Sequence, residues 1–559
     1  MVRVAEAVGA ALARLGVDLV FGVVGSGNFH VTNALVAGGA RYIAARHEGG
    51  AATMADAYAR TSRRVGAVSV HQGCGLTNAM TGITEAAKSR TPLIVLAAET
   101  GSAAVRSNFR IDQAALVASV GAVAERIHTP ESAVADAARA YRTAFGQRRT
   151  VVLNLPLDVQ AAQCPPDAVA VPPAPELRPP AAAPHAVAEL AAVLADARRP
   201  LFIAGRGARV ASARGSLERL ADAVGALLAT SAVAKGMFNG NPWYLDVSGG
   251  FASPLAAELI AGADVVVGWG CALNMWTTRH GALIGRDATV VQVDLDADAI
   301  GANRPVALGV LGDVDETASA VAAELDGGLD GGPGARGAVA RGYRSEELRA
   351  RIAAEHRWRD VPYRDESDGT RIDPRTLSIA LDDLLPLERV VAVDSGNFMG
   401  YPSMYLSVPD DDGFCFTQAF QSIGLGLATA IGAALARPDR LPVAALGDGG
   451  ALMSIAELDT AVRLGLPMVI VIYDDEAYGA EVHHFGPDGH ALDTVVFPPT
   501  DIAAIARGFG CDGVVVRGLE DLGAVADWLR GPRSRPLLVD AKVVSDRGSW
   551  WLEEAFRGH

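Results

Sequence analysis

From end to end the chain alternates short runs of β-branched and other apolar residues with longer Ala-rich amphipathic stretches. That alternation admits little besides parallel sheets with helices packed on both faces. A strand in such a sheet is buried on both sides, so it reads as an unbroken apolar run and not as an every-other-residue pattern. Runs close to this pattern, interrupted only by Ser69, Asn154 and Gln292, stand at residues 68–70, 93–96 and 151–155, then at 201–204, 265–268 and 290–293, then at 390–393, 443–446, 468–473 and 537–539. Two compositional breaks separate the three groups. Residues 164–184 are rich in proline and read as extended linker, and residues 326–337 are rich in glycine and read as flexible. The expectation is three doubly wound α/β domains with parallel sheets, over residues 1–165, 185–326 and 370–545. At 559 residues the chain is too long for a single core in any case.

Composition narrows the class. Hydrophobic residues make up 50% and charged residues 20%, as in an ordinary globular protein. A net charge of −15 argues against a nucleic-acid or anionic-membrane partner. The five cysteines, at 74, 164, 271, 415 and 511, are odd in number, far apart and without a C-x-x-C pair, which fits a reduced compartment. The opening MVRVAEAVGAALARLG carries Glu6 and Arg14 and so lacks the apolar centre of a signal peptide. No window reaches about eighteen consecutive apolar residues. A soluble, cytoplasmic protein is expected.

The third block carries the sharpest chemistry. An apolar run at residues 441–446 leads into Gly447-Asp448-Gly449-Gly450, whose glycines let backbone N–H groups approach phosphate oxygens. Ser454 and Glu457 match an S-x-x-E capping box, so a helix is expected to start at Ser454 and to end near Gly465-Leu466-Pro467. The run at 468–473 then delivers Asp474 and Asp475 at the C-terminal end of a buried strand, the edge where open α/β sheets bind ligands. Oxygen-only ligands suit Mg²⁺ or Ca²⁺, with phosphate oxygens and water completing the shell. A lone GDG is more often an ordinary turn. The whole spacing points instead to a metal site built for a diphosphate.

That stretch, GDGGALMSIAELDTAVRLGLPMVIVIYDDEAYG, resembles the cofactor motif of the thiamine diphosphate enzymes of the pyruvate decarboxylase, benzoylformate decarboxylase and acetolactate synthase superfamily, and the resemblance runs over nearly the whole chain. It implies that Asp448, Asp475 and the carbonyl of Ala477 bind the metal, with Gly447, Gly449 and Gly450 at the diphosphate. Asp474 and Asp475 stand where the family has a pair of Asn residues. The segment ARHEGGAATMADAYAR resembles the motif whose carboxylate, here Glu48, bonds N1′ of the cofactor's pyrimidine. In FTQAFQSIGLGLATAIGAALA the resemblance makes Ile423 the wedge under the bent cofactor and gives Gln421 a carbonyl contact, while Asn397 and Phe398 add contacts to the diphosphate. Ser26, His71 and Glu481 match catalytic positions above the thiazolium. The first block would bind the pyrimidine and the third the diphosphate as distant structural copies, the middle block being structural. The active site would lie between the subunits of a homodimer or tetramer. The reaction implied is decarboxylation of a 2-oxo acid to an enamine that is protonated to an aldehyde or transferred to an aldehyde or ketone.

Plainer explanations compete at each position. Glu48 could merely complement a helix dipole, Ile423 could be core, His71 a neutral hydrogen-bonded imidazole, and Glu481, His483 and His484 a solvated helix surface. Adjacent histidines do not share a helix face, so a zinc site there is not expected. Departures from the family also matter. In SNFRIDQ, Phe109 stands where acetolactate synthases have a glutamine, and neither DVSGGFASP nor GCALNMWTTRHG matches the segments that grip flavin, so FAD is not expected. The paired histidines of pyruvate decarboxylases are missing as well. The alternative activity is an acetolactate synthase-like acyl transferase without bound flavin. Outside that chemistry stand a dinucleotide-binding dehydrogenase and a catalytically silent cofactor-binding relative. The first is suggested by Gly25-Ser26-Gly27 but has His30 where a third glycine belongs. The second is opposed by retention of Glu48 and both aspartates. The aromatic tail at 545–551 has no place assigned by sequence.

Overall fold

The computed structural model describes residues 2–173, 178–327 and 342–555. The apolar runs pair into three six-stranded sheets in which neighbouring strands are parallel. Every run expected from sequence is a strand. The runs that sequence missed are mostly sheet edges such as Arg41–Ala44, Val123–Arg126 and Leu308–Leu311. Each has exposed residues, and polar side chains in Arg41–Ala44 and Val123–Arg126 break the apolar pattern of a central strand.

In the first sheet the spatial order is Arg41–Ala44, Leu19–Gly22, Gly66–Val70, Leu93–Glu99, Thr150–Pro156, Val123–Arg126. In the third it is Phe414–Phe416, Arg389–Val393, Leu441–Gly447, Val469–Asp474, Leu537–Lys542, Asp512–Val516. Numbered by position in the chain, both run 2-1-3-4-6-5, whereas the middle sheet runs 3-2-1-4-5-6. The outer sheets are therefore copies of one topology. In each, the order reverses between its first and third strands, and a crevice opens there at the strands' C-terminal ends. In the first sheet that point lies after Gly22 and Val70, and in the third after Val393 and Gly447.

The proline-rich linker is partly structured. Gln163–Cys164 pairs antiparallel with Val2–Arg3, and the helix Pro184–Asp196 opens on a proline, whose missing N–H costs nothing at a first helical position. Of the Gly-rich segment, Asp326 and Gly327 end the helix Val314–Gly327, and residues 328–337 lie outside the described residues. Among the described residues no helix is long and apolar enough to cross a membrane.

The outer two blocks share one apolar core, in which Met54, Leu76 and Ile83 pack with Leu427, Ile431, Leu458 and Ile472. At its centre the Ala-rich helix Glu48–Ser62 lies against the helix Gly426–Ala436. The approach is close enough that a Cβ on Gly432 would fall 2.1 Å from the Met54 carbonyl oxygen. Small side chains allow this contact, and it fixes where the two ends of the Glu48–Ser62 helix point.

Candidate active site

At the switch point of the third sheet, a helix begins at Asp448 itself and runs to Ser454. The capping box expected from sequence is absent. Ser454 is the last residue of that helix, its hydroxyl donating to the Gly450 carbonyl at 3.1 Å. Glu457 opens a second helix, Glu457–Arg463, and its carboxylate accepts the N–H groups of Arg46 and His47 at 3.1 and 3.0 Å and the Thr460 hydroxyl at 2.6 Å. Donors on the first block thus outcompete the local amide. The glycines of the turn make room for the protein's own groups. A Cβ on Gly449 would lie 2.5 Å from the Tyr478 ring, and one on Gly450 would lie 2.4 Å from the Asp394 carboxylate.

Asp448 is buried, and the partly buried Asp475 lies close enough for its charge to act on it. Burial, then the charges of Asp475 and Asp474, push Asp448 up to about 8, and burial pushes Asp475 up to about 7. Asp475 is oriented by the Asn397 side chain and by the Ala477 N–H at 3.3 Å, in space that exists because residue 479 is glycine. Asp474 has a different fate. Its carboxylate is ion-paired with Lys542, one strand over, and caps the Glu476 N–H at 3.1 Å. Among the described residues no three His, Cys, Asp or Glu side chains converge on a point, and none donates to the Ala477 carbonyl. A buried and a partly buried carboxylate without a cation, close to the Ala477 carbonyl, fit a divalent ion that takes its remaining oxygens from a bound diphosphate. A cavity of about 290 Å³ opens beside Asp448 and Gly449, walled by Met453, Tyr478 and Phe497.

Asn397 also anchors the aromatic tail. Its Oδ1 accepts the Ser549 N–H at 3.0 Å, and its carbonyl accepts the Ser549 hydroxyl at 2.7 Å and the Trp551 indole N–H at 2.9 Å. Phe398 is buried and stacks on Tyr473, ring centroids 5.4 Å apart. The segments considered for flavin supply Gly250, Phe251, Asn274 and Trp276 to a cavity of about 360 Å³ at the junction of the three blocks, which Trp551 also lines.

The turn bearing Gln421 and Ile423 sits on the same switch point. Gln421 takes a left-handed φ of 61°, Gly424 approaches Met453, and the N–H groups of Gly424 and Leu425 donate to Asp394 at 3.0 and 3.2 Å. Asp394 is fully buried and burial lifts it to about 6. On the short helix Gly479–Phe485, Glu481 is partly exposed. His483 is partly buried under Gly548, its Nε2 without a partner, and burial lowers its pKa.

The first sheet's switch point gathers the other candidates. Glu48, 9% exposed, opens its helix and accepts the Asn78 amide at 3.0 Å. His71 follows the strand Gly66–Val70; its Nε2 lies 3.4 Å from the Ser26 hydroxyl and its ring meets Phe109 edge-on at 5.0 Å. Gly75 stands between them, close to both the His71 Cβ and the Glu48 carboxylate. A Cβ on Gly25 would strike His71 and one on Gly27 would strike Gln72, so these glycines serve packing and not a dinucleotide.

Within one chain Glu48 stands well away from the segment that leads into Gln421. Arg60, at the far end of the Glu48–Ser62 helix, donates to the Phe416 carbonyl at 3.0 Å, and Glu85 holds the next residues of that segment. Twelve residues of helix separate Glu48 from that contact, about 18 Å of axis. The sequence alone assigned no role to Asp394, Lys542 or Asn78, and gave Glu457 a local cap in place of its contact with the first block. Asp394 and Lys542 had a signal, as charged residues at or inside otherwise apolar strands; Glu457 and Asn78 act through long-range contacts that sequence does not show.

Comparison with known proteins agrees with this geometry. Three family profiles match: the N-terminal TPP binding domain of thiamine pyrophosphate enzymes over residues 2–116, the central domain over 187–321 and the C-terminal TPP binding domain over 394–541. The chain is 28% identical to a sulfoacetaldehyde acetyltransferase of Rhodobacter capsulatus, covering 97% of this chain and 95% of the relative. It is 30% identical to a probable 2-ketoarginine decarboxylase, AruI, of Pseudomonas aeruginosa, covering 93% and 90%. It is 25% identical to the acetolactate synthase isozyme 2 large subunit of Escherichia coli, covering 97% and 96%. The protein is an enzyme that belongs to the thiamine pyrophosphate-dependent family of carbon–carbon lyases and transferases.

Proposed function

We propose that the enzyme releases CO₂ from a 2-oxo acid, using thiamine diphosphate and a divalent metal, and delivers the remaining acyl carbon to a proton or to a carbonyl acceptor. The observation that carries the metal dependence is the pair of buried Asp448 and partly buried Asp475, which has no cation of its own while the neighbouring Asp474 has Lys542. Asp448, Asp475 and the Ala477 carbonyl would hold Mg²⁺ or Ca²⁺, and Asn397 with the Gly447–Gly450 turn would face the diphosphate. When bound, thiamine diphosphate supplies a thiazolium carbon that adds to the keto group and accepts the electrons left by departing CO₂.

The chain's residues have separate tasks. Glu48 keeps a proton at N1′ of the pyrimidine, and Ile423 and Gln421 support the cofactor's bent shape. Ser26, His71 and Glu481 hold or move protons at the substrate's oxygens. Phe398, stacked on Tyr473, would add a contact to the diphosphate beside Asn397. Residues 1–165 form the pyrimidine domain, 185–326 a structural centre and 370–545 the diphosphate domain. Each active site takes Glu48, Ser26 and His71 from one copy and the metal site from another. The roughly 18 Å of helix between Glu48 and its own chain's wedge segment supports that pairing. A cytoplasmic location agrees with five unpaired cysteines, four of them buried.

Protein stripped with EDTA and offered a panel of 2-oxo acids should regain CO₂ release only when metal and thiamine diphosphate return together. Recovery without them rejects the proposal. A second reading, acyl transfer of the acetolactate synthase kind without flavin, is favoured by relatives whose names specify acetyltransferase and acetolactate synthase activities. Products from mixed 2-oxo acids and aldehydes separate the two.

A further inference from the structure

The turn that carries Gln421 and Ile423 is gripped by one buried carboxylate from each outer block. On its later side are the Asp394 contacts to Gly424 and Leu425. On its earlier side Glu85, fully buried, accepts the N–H of Ala419 at 3.1 Å and of Phe420 at 2.7 Å. Arg60 carries Glu85: its guanidinium donates to Glu85 at 2.7 Å, to Asp56 at 2.9 Å and to the Phe416 carbonyl at 3.0 Å. Asp56 is fully buried and accepts the Thr91 hydroxyl at 2.6 Å. Between the two grips Gln421 holds its left-handed conformation, which a non-glycine residue keeps only where its surroundings impose it.

We propose that Glu85, held by Arg60 and Asp56, is a positioning residue for the Gln421–Ile423 turn of its own chain, so that one N-terminal domain serves two active sites at once. Glu48 would act at the site shared with the partner's diphosphate domain. Glu85 would shape the site built on its own. The inference rests on the shared-site reading above, and it reverses the usual logic of complementation between subunits.

In Glu85→Gln, turnover should fall by about a hundredfold while thiamine diphosphate affinity stays near wild type, because a displacement of about 1 Å costs that much without loosening the diphosphate anchor. Glu85→Asp, which keeps the charge and the Arg60 pair, should recover part of the loss. Mixed pairs isolated by two different tags give the sharper readout. A Glu48→Gln chain paired with a Glu85→Gln chain should retain one intact site. A chain bearing both changes, paired with wild type, should retain none. If the doubly changed chain leaves an intact site with wild type while the single changes on separate chains do not, the active site is built within one chain and the shared-site reading fails. If Glu85→Gln turns over like wild type, only the Glu85 inference fails. Should neither variant fold, hydrogen exchange on the wild-type apoprotein decides: the Ala419 and Phe420 amides should be protected before cofactor is added, and exchange at the rate of an open loop would overturn the inference.

Discussion

Lys542 closes a buried ion pair with Asp474 across two adjacent strand ends, and so neutralises one of two neighbouring aspartates while leaving Asp475 without a cation. Removing one partner of a buried pair strands a charge, at about 3–5 kcal/mol. Lys542→Met should therefore lower stability by roughly that amount and weaken metal binding. Adding Asp474→Asn to it should restore part of both losses, because the buried Asp540 carboxylate, 3.2 Å from the Lys542 ammonium, still lacks its cation. Denaturant unfolding and metal titration of the two variants check this, and equal stability of the single and double variants would contradict it.

Glu48 is positioned by its Asn78 hydrogen bond and, through His47, by Glu457. Glu48→Gln keeps shape and removes the carboxylate. Turnover should drop by about 10²–10⁴-fold, the range for a lost acid–base group. Cofactor affinity should stay close to that of the unaltered protein. Steady-state rates beside calorimetric titration read both quantities; a variant with near-normal rates would mean that another group activates the cofactor.

Asp475→Asn retains an oxygen ligand and removes one charge. It should still bind thiamine diphosphate with metal but change its preference among Mg²⁺, Ca²⁺ and Mn²⁺, whereas Asp475→Ala should lose metal-dependent binding. Dissociation constants measured with each ion in turn test the pair.

Gly432→Ala pushes a methyl group into the Met54 carbonyl at the contact between the two helices. Overpacking of this kind costs about 1–3 kcal/mol. The midpoint of urea unfolding should fall accordingly, and an unchanged midpoint would show that the helices separate freely.

Asp394 gives a pH signature. Burial raises its folded-state value to about 6, above the ordinary aspartate value, so the folded protein holds the proton more tightly than the unfolded chain does. Its contribution to stability is therefore fullest at low pH and declines as pH rises from about 4 through about 6. The apoprotein of Asp394→Asn should show a flatter stability profile over that interval, measured by chemical unfolding at several pH values.

Most central strands and the two aspartates were legible because both are local signals: a doubly buried strand is largely apolar, and an aspartate at its exit is conspicuous; the short interior strands Leu19–Gly22 and Leu227–Thr230 were too brief to stand out. Edge strands such as Val123–Arg126 were not legible, since Glu125 and Arg126 break the apolar run. The start of the helix at Asp448 was misread because Ser454 and Glu457 mimic a local cap, while Glu457 spends its carboxylate on Arg46 and His47. No local pattern reveals a partner some four hundred residues away. Asp474 and Asp475 look equivalent in the sequence, and only the register of the strand bearing Lys542 tells them apart.

The most direct test is a calorimetric titration of metal-stripped protein with thiamine diphosphate, with and without Mg²⁺, followed by CO₂ release from a 2-oxo acid. One cofactor should bind per chain, the binding should require the metal and be lost in Asp448→Ala, and CO₂ should be released only by the loaded protein. Binding of equal strength without metal, or in Asp448→Ala, would contradict this.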